Sequence, residues 1–135
     1  MALNAGPKTA ADHAAAALAV LLVDDEPLIR WSLKRALTDR GHHVVTAGTA
    51  GEAIAALSSD PPFDAVILDY RLPDRHDLTL LDEVRRLTPN TAVFMMTAFA
   101  DEEMRTGARD RGVRAVVDKP FNVGTFVSLV ESAFR

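Results

Sequence analysis

Five short apolar runs set the limits on what this chain can fold into. They are Ala19 to Val23, His43 to Ala47, Ala65 to Leu68, Ala92 to Met96 and Val113 to Val117, and each has the length of a buried strand. They recur at intervals of about 20 to 28 residues, and the segments between them carry helical spacing, as in Ile29, Leu33, Ala36, Leu37 and in Leu80, Leu81, Val84, Leu87. Strands that alternate with helices in this way predict successive βαβ units and an α/β, doubly wound parallel sheet of five strands with helices on both faces.

The punctuation agrees. Gly41 closes the first helix, Gly48-Thr49 opens the second, Asp60-Pro61-Pro62 ends it, Pro89-Asn90 ends the third, Gly112 ends the fourth, and Asn122 is placed to cap the last. Residues 1–17 have no apolar stripe to bury and read as a flexible, Ala-rich tail before a single domain over 18–135. The run at residues 14–23 ends at Asp24-Asp25-Glu26 with no cleavage site and is too short to span a bilayer, so a cytoplasmic protein is expected.

Composition removes several function classes. The 135 residues include no cysteine, which excludes disulfides, a thiol nucleophile and thiolate metal ligands. A net charge of −4 argues against direct binding to nucleic acid.

The informative polar residues stand at the ends of the strands. The first strand ends in Asp24-Asp25, the third in Asp69, the fourth in Thr97 and the fifth in Asp118-Lys119-Pro120. In a parallel sheet these ends share one side, where open α/β folds bind ligands. Taken singly the residues are unremarkable: Asp25 before Glu26-Pro27 reads as a helix N-cap, Asp69 as a loop acid, Thr97 as a backbone partner and Lys119 as a solvated cation. Taken together they place three carboxylates, a hydroxyl and an ammonium at one site. Converging carboxylates call for a cation, and an all-oxygen set suits Mg²⁺ with a phosphoryl oxygen among its ligands. A carboxylate can itself accept the phosphoryl group.

The motifs VLLVDDEP, VILDYRLPD, MMTA and DKPF, at these intervals, closely resemble the receiver domain of bacterial two-component response regulators from about Val20 onward. The resemblance implies a flavodoxin-like sheet of strand order 2-1-3-4-5 and makes Asp69 the phosphoacceptor. It gives Mg²⁺ to Asp25, Asp69 and the backbone carbonyl of Arg71, with Asp24 acting through water. Thr97 would be the switch hydroxyl, Lys119 the phosphoryl-binding cation and Ala98 the small residue that leaves room, with Lys119-Pro120 cis. The donor would be a histidine kinase or histidine phosphotransfer protein, and the output a changed protein-binding surface on a monomer or weak phosphorylation-dependent dimer. Arg71 and Phe99 stand where the family controls phosphoryl lifetime, and slow self-dephosphorylation is expected. The segment Ile29 to Leu33 further resembles receivers of nitrogen-regulatory-type transcription activators.

Two positions depart from the family. Val116 replaces the usual Tyr or Phe three residues before the lysine, and a valine cannot make the aromatic's inward rotation. Asp77 replaces a glycine, either as a local turn adjustment or as an extra acid near the site. Trp31 lies off its helix stripe, beside the site or against a neighbouring helix, and Arg105, Arg109, Arg111 and Arg114 read as a solvated helix and turn.

A signalling receiver without further enzymatic activity is the expectation. A phosphorylation-independent adaptor is the alternative, made conceivable by Val116. An aspartate-based phosphohydrolase of the haloacid dehalogenase type fits poorly, because Asp24-Asp25-Glu26 lacks its Asp-x-Asp pattern. No DNA-binding helix pair or ATPase follows Phe134, so either a stand-alone regulator or the first part of a longer one is expected.

Overall fold

The computed structural model describes residues 16–59 and 62–135. Five strands, β1 (Ala19–Val23), β2 (His43–Ala47), β3 (Ala65–Asp69), β4 (Ala92–Thr97) and β5 (Ala115–Asp118), alternate with five helices. The helices are α1 (Pro27–Asp39), α2 (Ala50–Ser59), α3 (Thr79–Leu87), α4 (Glu102–Asp110) and α5 (Val123–Ser132). All strand pairs are parallel and the order is β2-β1-β3-β4-β5, as expected. The expected tail lies outside the described residues except for Ala16 and Ala17, which are exposed and carry no regular structure.

Side chains alternate across the sheet and so build two cores. Leu21, Val23, Val66, Leu68, Val93 and Met95 face α2, α3 and α4. Val20, Leu22, Ala65, Ile67, Phe94 and Met96 face α1 and α5 through Leu33, Leu37, Phe126, Val127 and Val130. The three central strands are buried almost throughout, which is why they read as unbroken apolar runs, whereas edge strand β2 exposes His43, Val45 and Thr46. Each fully buried Leu or Phe contributes roughly 1.5–3 kcal/mol by leaving water.

Two readings of the sequence need correction. The last strand starts at Ala115, not Val113. Gly112, at φ +81°, turns the chain, and the Val113 amide donates back to the Ala108 carbonyl, so Val113 closes the end of α4 inside the core. Asp25 is not the N-cap of α1: that place falls to Glu26, with Pro27 in the first turn and no side-chain cap.

At the amino ends of the strands lies a buried polar cluster. His42 accepts from the Leu18 amide through Nδ1 at 3.1 Å, so its proton is on Nε2, which donates to Glu131 Oε2 at 2.8 Å. Arg40 Nη1 donates to the other Glu131 oxygen at 2.6 Å. This ties α5 to β1 and to the turn before β2.

Candidate functional site

The ladder hydrogen bonds run to the ends of the strands and deliver the polar residues to one place. The Asp24 amide donates to the Ala47 carbonyl, Tyr70 to Met96 and Lys119 to Thr97, so the residues just beyond β1, β3 and β5 are held in register. Asp24, Asp69 and Thr97 are buried, Asp25 is exposed, and Lys119 is half-buried. The Lys119-Pro120 bond is cis, as the resemblance implies.

One carboxylate oxygen from each of Asp24, Asp25, Glu26 and Asp69 can be chosen so that all lie within 4.8 Å of one another. Lys119 Nζ is 3.0 Å from Asp69 Oδ2 and 2.9 Å from Glu26 Oε1, bonded to both. It is also 2.9 Å from Asp24 Oδ2, an ion pair. Asp24 Oδ2 is buried, and that ammonium is its partner. The other Asp24 oxygen accepts from the Glu26 amide at 2.8 Å, and Asp69 Oδ1 accepts from the Arg71 amide at 3.2 Å.

The electrostatics follow from this crowding. Burial, and then the charge of Asp24, push the Asp69 carboxyl up to about 6, against the opposing pull of Lys119 and the Arg71 amide. Burial works against the charge on Lys119, but Asp24, Glu26 and Asp69 outweigh it and hold the ammonium above its ordinary range. Four carboxylates gathered around one ammonium, with only oxygen donors, suit a hard divalent cation.

Of the expected residues, Asp24, Asp25, Asp69 and Lys119 therefore meet, and Glu26 joins them. Thr97 is buried and its hydroxyl accepts from the Phe99 amide at 3.2 Å, while Ala98 and the 81% exposed Phe99 stand at the surface beyond it. Glu26 was missed by strand-end reasoning because it reaches Lys119 only through the way the chain enters α1. Arg30 was missed too: Nη1 donates to the Asp24 carbonyl at 2.7 Å, and a Cβ at Gly48 would come within 3.1 Å of that nitrogen. Its signal in the sequence was a lone base one helical turn after three acids.

Asp77 is a local turn device: its side chain accepts from both the amide and the hydroxyl of Thr79, which lowers its carboxyl and begins α3. Trp31 is 60% exposed, and the Arg35 guanidinium stands 5.6 Å from its ring centre, on the same helix. The arginine-rich stretch is less solvated than its sequence suggests, since Arg105 pairs with Asp118 at 2.6 Å and Arg111 with Asp82 at 2.8 Å. Val116 is half-buried against the core beneath α4. No helix among the described residues is long and apolar enough to cross a membrane.

Known proteins resemble this chain in sequence and fold. Residues 20–131 match the response regulator receiver domain family. The chain is 37% identical over 114 residues to the DNA-binding transcriptional regulator NtrC of Salmonella typhimurium, covering 84% of this chain and 24% of that protein. It is 37% identical over 116 residues to the transcriptional regulatory protein KdpE of Mycobacterium tuberculosis, covering 86% of this chain and 50% of that one. The chain thus spans between a quarter and a half of these relatives. Among solved structures, a CheY-like response regulator receiver domain protein from Methanospirillum hungatei superimposes with a TM-score of 0.82 at 29% identity, covering 87% of this chain and 94% of that one. With the family matched over most of its length, and the same fold seen in a known receiver, the chain belongs to the response regulator receiver domain family.

Proposed function

We propose that this domain accepts a phosphoryl group on Asp69 and signals through the resulting change of conformation. The observation that carries the reading is the contact of Asp69 Oδ2 with Lys119 Nζ at 3.0 Å inside a ring of four carboxylates. Asp69 is the nucleophile: its oxygen bonds to phosphorus as the bond from phosphorus to the donor's imidazole nitrogen breaks, leaving an aspartyl phosphate and a free histidine. Lys119 then pairs with a phosphoryl oxygen, and the Thr97 hydroxyl donates to another. Asp24, Asp25, Asp69 and the Arg71 carbonyl would hold Mg²⁺, a fit supported by the convergence of carboxylate oxygens within 4.8 Å of one another. When bound, the ion neutralises charge on the transferring group.

The donor is a histidine kinase or histidine phosphotransfer protein, and the recipient of the signal is another protein. The chemistry stops at self-phosphorylation and self-dephosphorylation. The domain works in the cytoplasm, as a monomer or weak phosphorylation-dependent dimer, with residues 18–135 as the functional unit and 1–17 as a tail. Phosphorylation shifts a pre-existing equilibrium rather than creating a new state. Because Val116 cannot rotate as an aromatic would, the movement of Thr97 passes to α4 by another route, and the Arg105–Asp118 pair next to Lys119 is the available tie.

Incubation with acetyl phosphate and Mg²⁺, followed by intact mass, tests the reading. The wild type should gain one phosphoryl group and Asp69→Asn none. Failure of the wild type to gain mass at any Mg²⁺ concentration would leave the phosphorylation-independent adaptor instead.

A further inference from the structure

The loop that follows Asp69 is fastened to an element with which it shares no strand. The Asp74 carboxylate accepts from the Ala50 amide at 2.8 Å through Oδ1 and from the Gly51 amide at 3.0 Å through Oδ2. Ala50 and Gly51 open α2, whose first amides have no partner inside the helix. The helix supplies part of its own cap: Thr49 Oγ1 accepts from the Glu52 amide at 3.1 Å, and Glu52 Oε1 accepts from the Gly48 amide at 2.7 Å. That reciprocal cap leaves the amides of Ala50 and Gly51 free, and Asp74, 24 and 23 residues away in sequence, takes both.

The loop between Asp69 and Asp74 is short and otherwise pinned. Asp69 Oδ1 accepts from the Arg71 amide, Leu72 is buried in the core, and Leu72 and Arg75 exchange backbone hydrogen bonds around Pro73-Asp74. The backbone of Arg71 sits between the buried nucleophile and the buried Leu72, and Asp74 fastens the outer part of the same loop to α2. Asp74 itself is exposed and is not one of the four carboxylates of the cluster.

We propose that Asp74 is a positioning residue for the phosphoacceptor site, holding the Asp69–Arg75 loop against the start of α2 so that the Arg71 backbone is presented to a divalent cation. The role rests on the reading of Asp69 as phosphoacceptor. It acts on the affinity of the site for the cation, not on the chemistry of Asp69, because Asp74 reaches neither the nucleophile nor the phosphoryl group. Groups that orient metal ligands from outside the ligand set are known to set affinity in this way.

The test compares wild type, Asp74→Ala, Asp74→Asn and Thr49→Ala. The last weakens the same helix start without touching the loop. Mg²⁺ binding is read by calorimetry with the metal alone, acetyl phosphate acceptance by intact mass, and the Ala50 and Gly51 amides by hydrogen exchange. Asp74→Ala should bind Mg²⁺ about tenfold more weakly, exchange both amides faster, and recover a maximal phosphorylation rate within about twofold of wild type at saturating Mg²⁺. Asp74→Asn, which keeps one acceptor oxygen, should fall between. Thr49→Ala should leave Mg²⁺ affinity unchanged. Unchanged Mg²⁺ affinity in Asp74→Ala, or an equal loss in Thr49→Ala, overturns the positioning role while leaving the phosphoacceptor intact. A wild type that neither binds Mg²⁺ nor gains mass removes the phosphoacceptor reading, and the positioning role with it.

Discussion

The ammonium of Lys119 lies 3.0 Å from Oδ2 of Asp69, and the same nitrogen answers Asp24 and Glu26 at 2.9 Å each. One cation offsets three carboxylates, so its removal should expose their mutual repulsion. Lys119→Met keeps the stem and deletes the charge. In chelator it should lose about 1–3 kcal/mol of stability, less than for a fully buried pair because Glu26 faces water. Mg²⁺ should return part of that loss. Urea unfolding with and without Mg²⁺ measures both, and equal stability of wild type and variant in chelator would count against the ion-pair account. The rate of phosphoryl acceptance should fall about a hundredfold.

Glu131 gives the fold an acid-sensitive joint. Burial pushes its carboxyl up, but the hydrogen bonds from His42 and Arg40 outweigh this and hold it below its ordinary range. A carboxyl depressed on folding adds stability that is present above its unfolded value near 4.5 and is lost as pH falls through the folded value. Stability of the wild type should therefore drop on acidification below about pH 4.5, and Glu131→Gln should flatten that limb. Glu131→Ala leaves the buried Nε2–H of His42 without an acceptor and should cost about 3 kcal/mol at neutral pH. Urea midpoints across pH distinguish the two variants.

Leu78, just before α3, packs close to a glycine of α4. A Cβ at Gly107 would stand 2.6 Å from Cδ1 of Leu78. Gly107→Ala should cost about 1 kcal/mol in the wild type, since Leu78 can rotate away only by giving up its packing. In a Leu78→Ala background the same change should stabilise by about 0.5–1 kcal/mol, because alanine is the better helix former. A reversal of sign in the double-mutant cycle is the readout.

Phe99 is 81% exposed beside Ala98. Its truncation to alanine should leave stability within about 0.5 kcal/mol of wild type. If the ring hinders water at the phosphorylated site, Phe99→Ala should shorten the lifetime of the phosphoryl group, followed by mass after acetyl phosphate is removed. An unchanged or longer lifetime would take Phe99 out of that role.

The sheet was legible because every residue of β1, β3 and β4 apart from Ala19 is buried, and burial on both faces leaves an uninterrupted apolar run. The core of the site was legible for the same reason: Asp24, Asp69 and Thr97 are polar residues where such runs stop, and a polar residue ending a buried strand has few places to go. What stayed hidden depends on distance through space. Asp74 looks like any acid after a proline until α2 is brought beside it. His42 and Glu131 are 89 residues apart, and their pairing needs both helices of one face in position. The sequence does hold a hint of it, since Glu131 is the sole charged residue between Lys119 and Arg135. The start of β5 was misplaced because Val113 is as apolar as the strand it precedes, and only the left-handed Gly112 sends it into the other core.

The crowding of four carboxylates at the strand ends has a consequence for the whole domain. A cation held there would bind the folded chain and not the unfolded one, so the melting temperature of the domain would become a gauge of the ions dissolved around it. The cohesion of the strand ends would then be set partly by the surrounding medium.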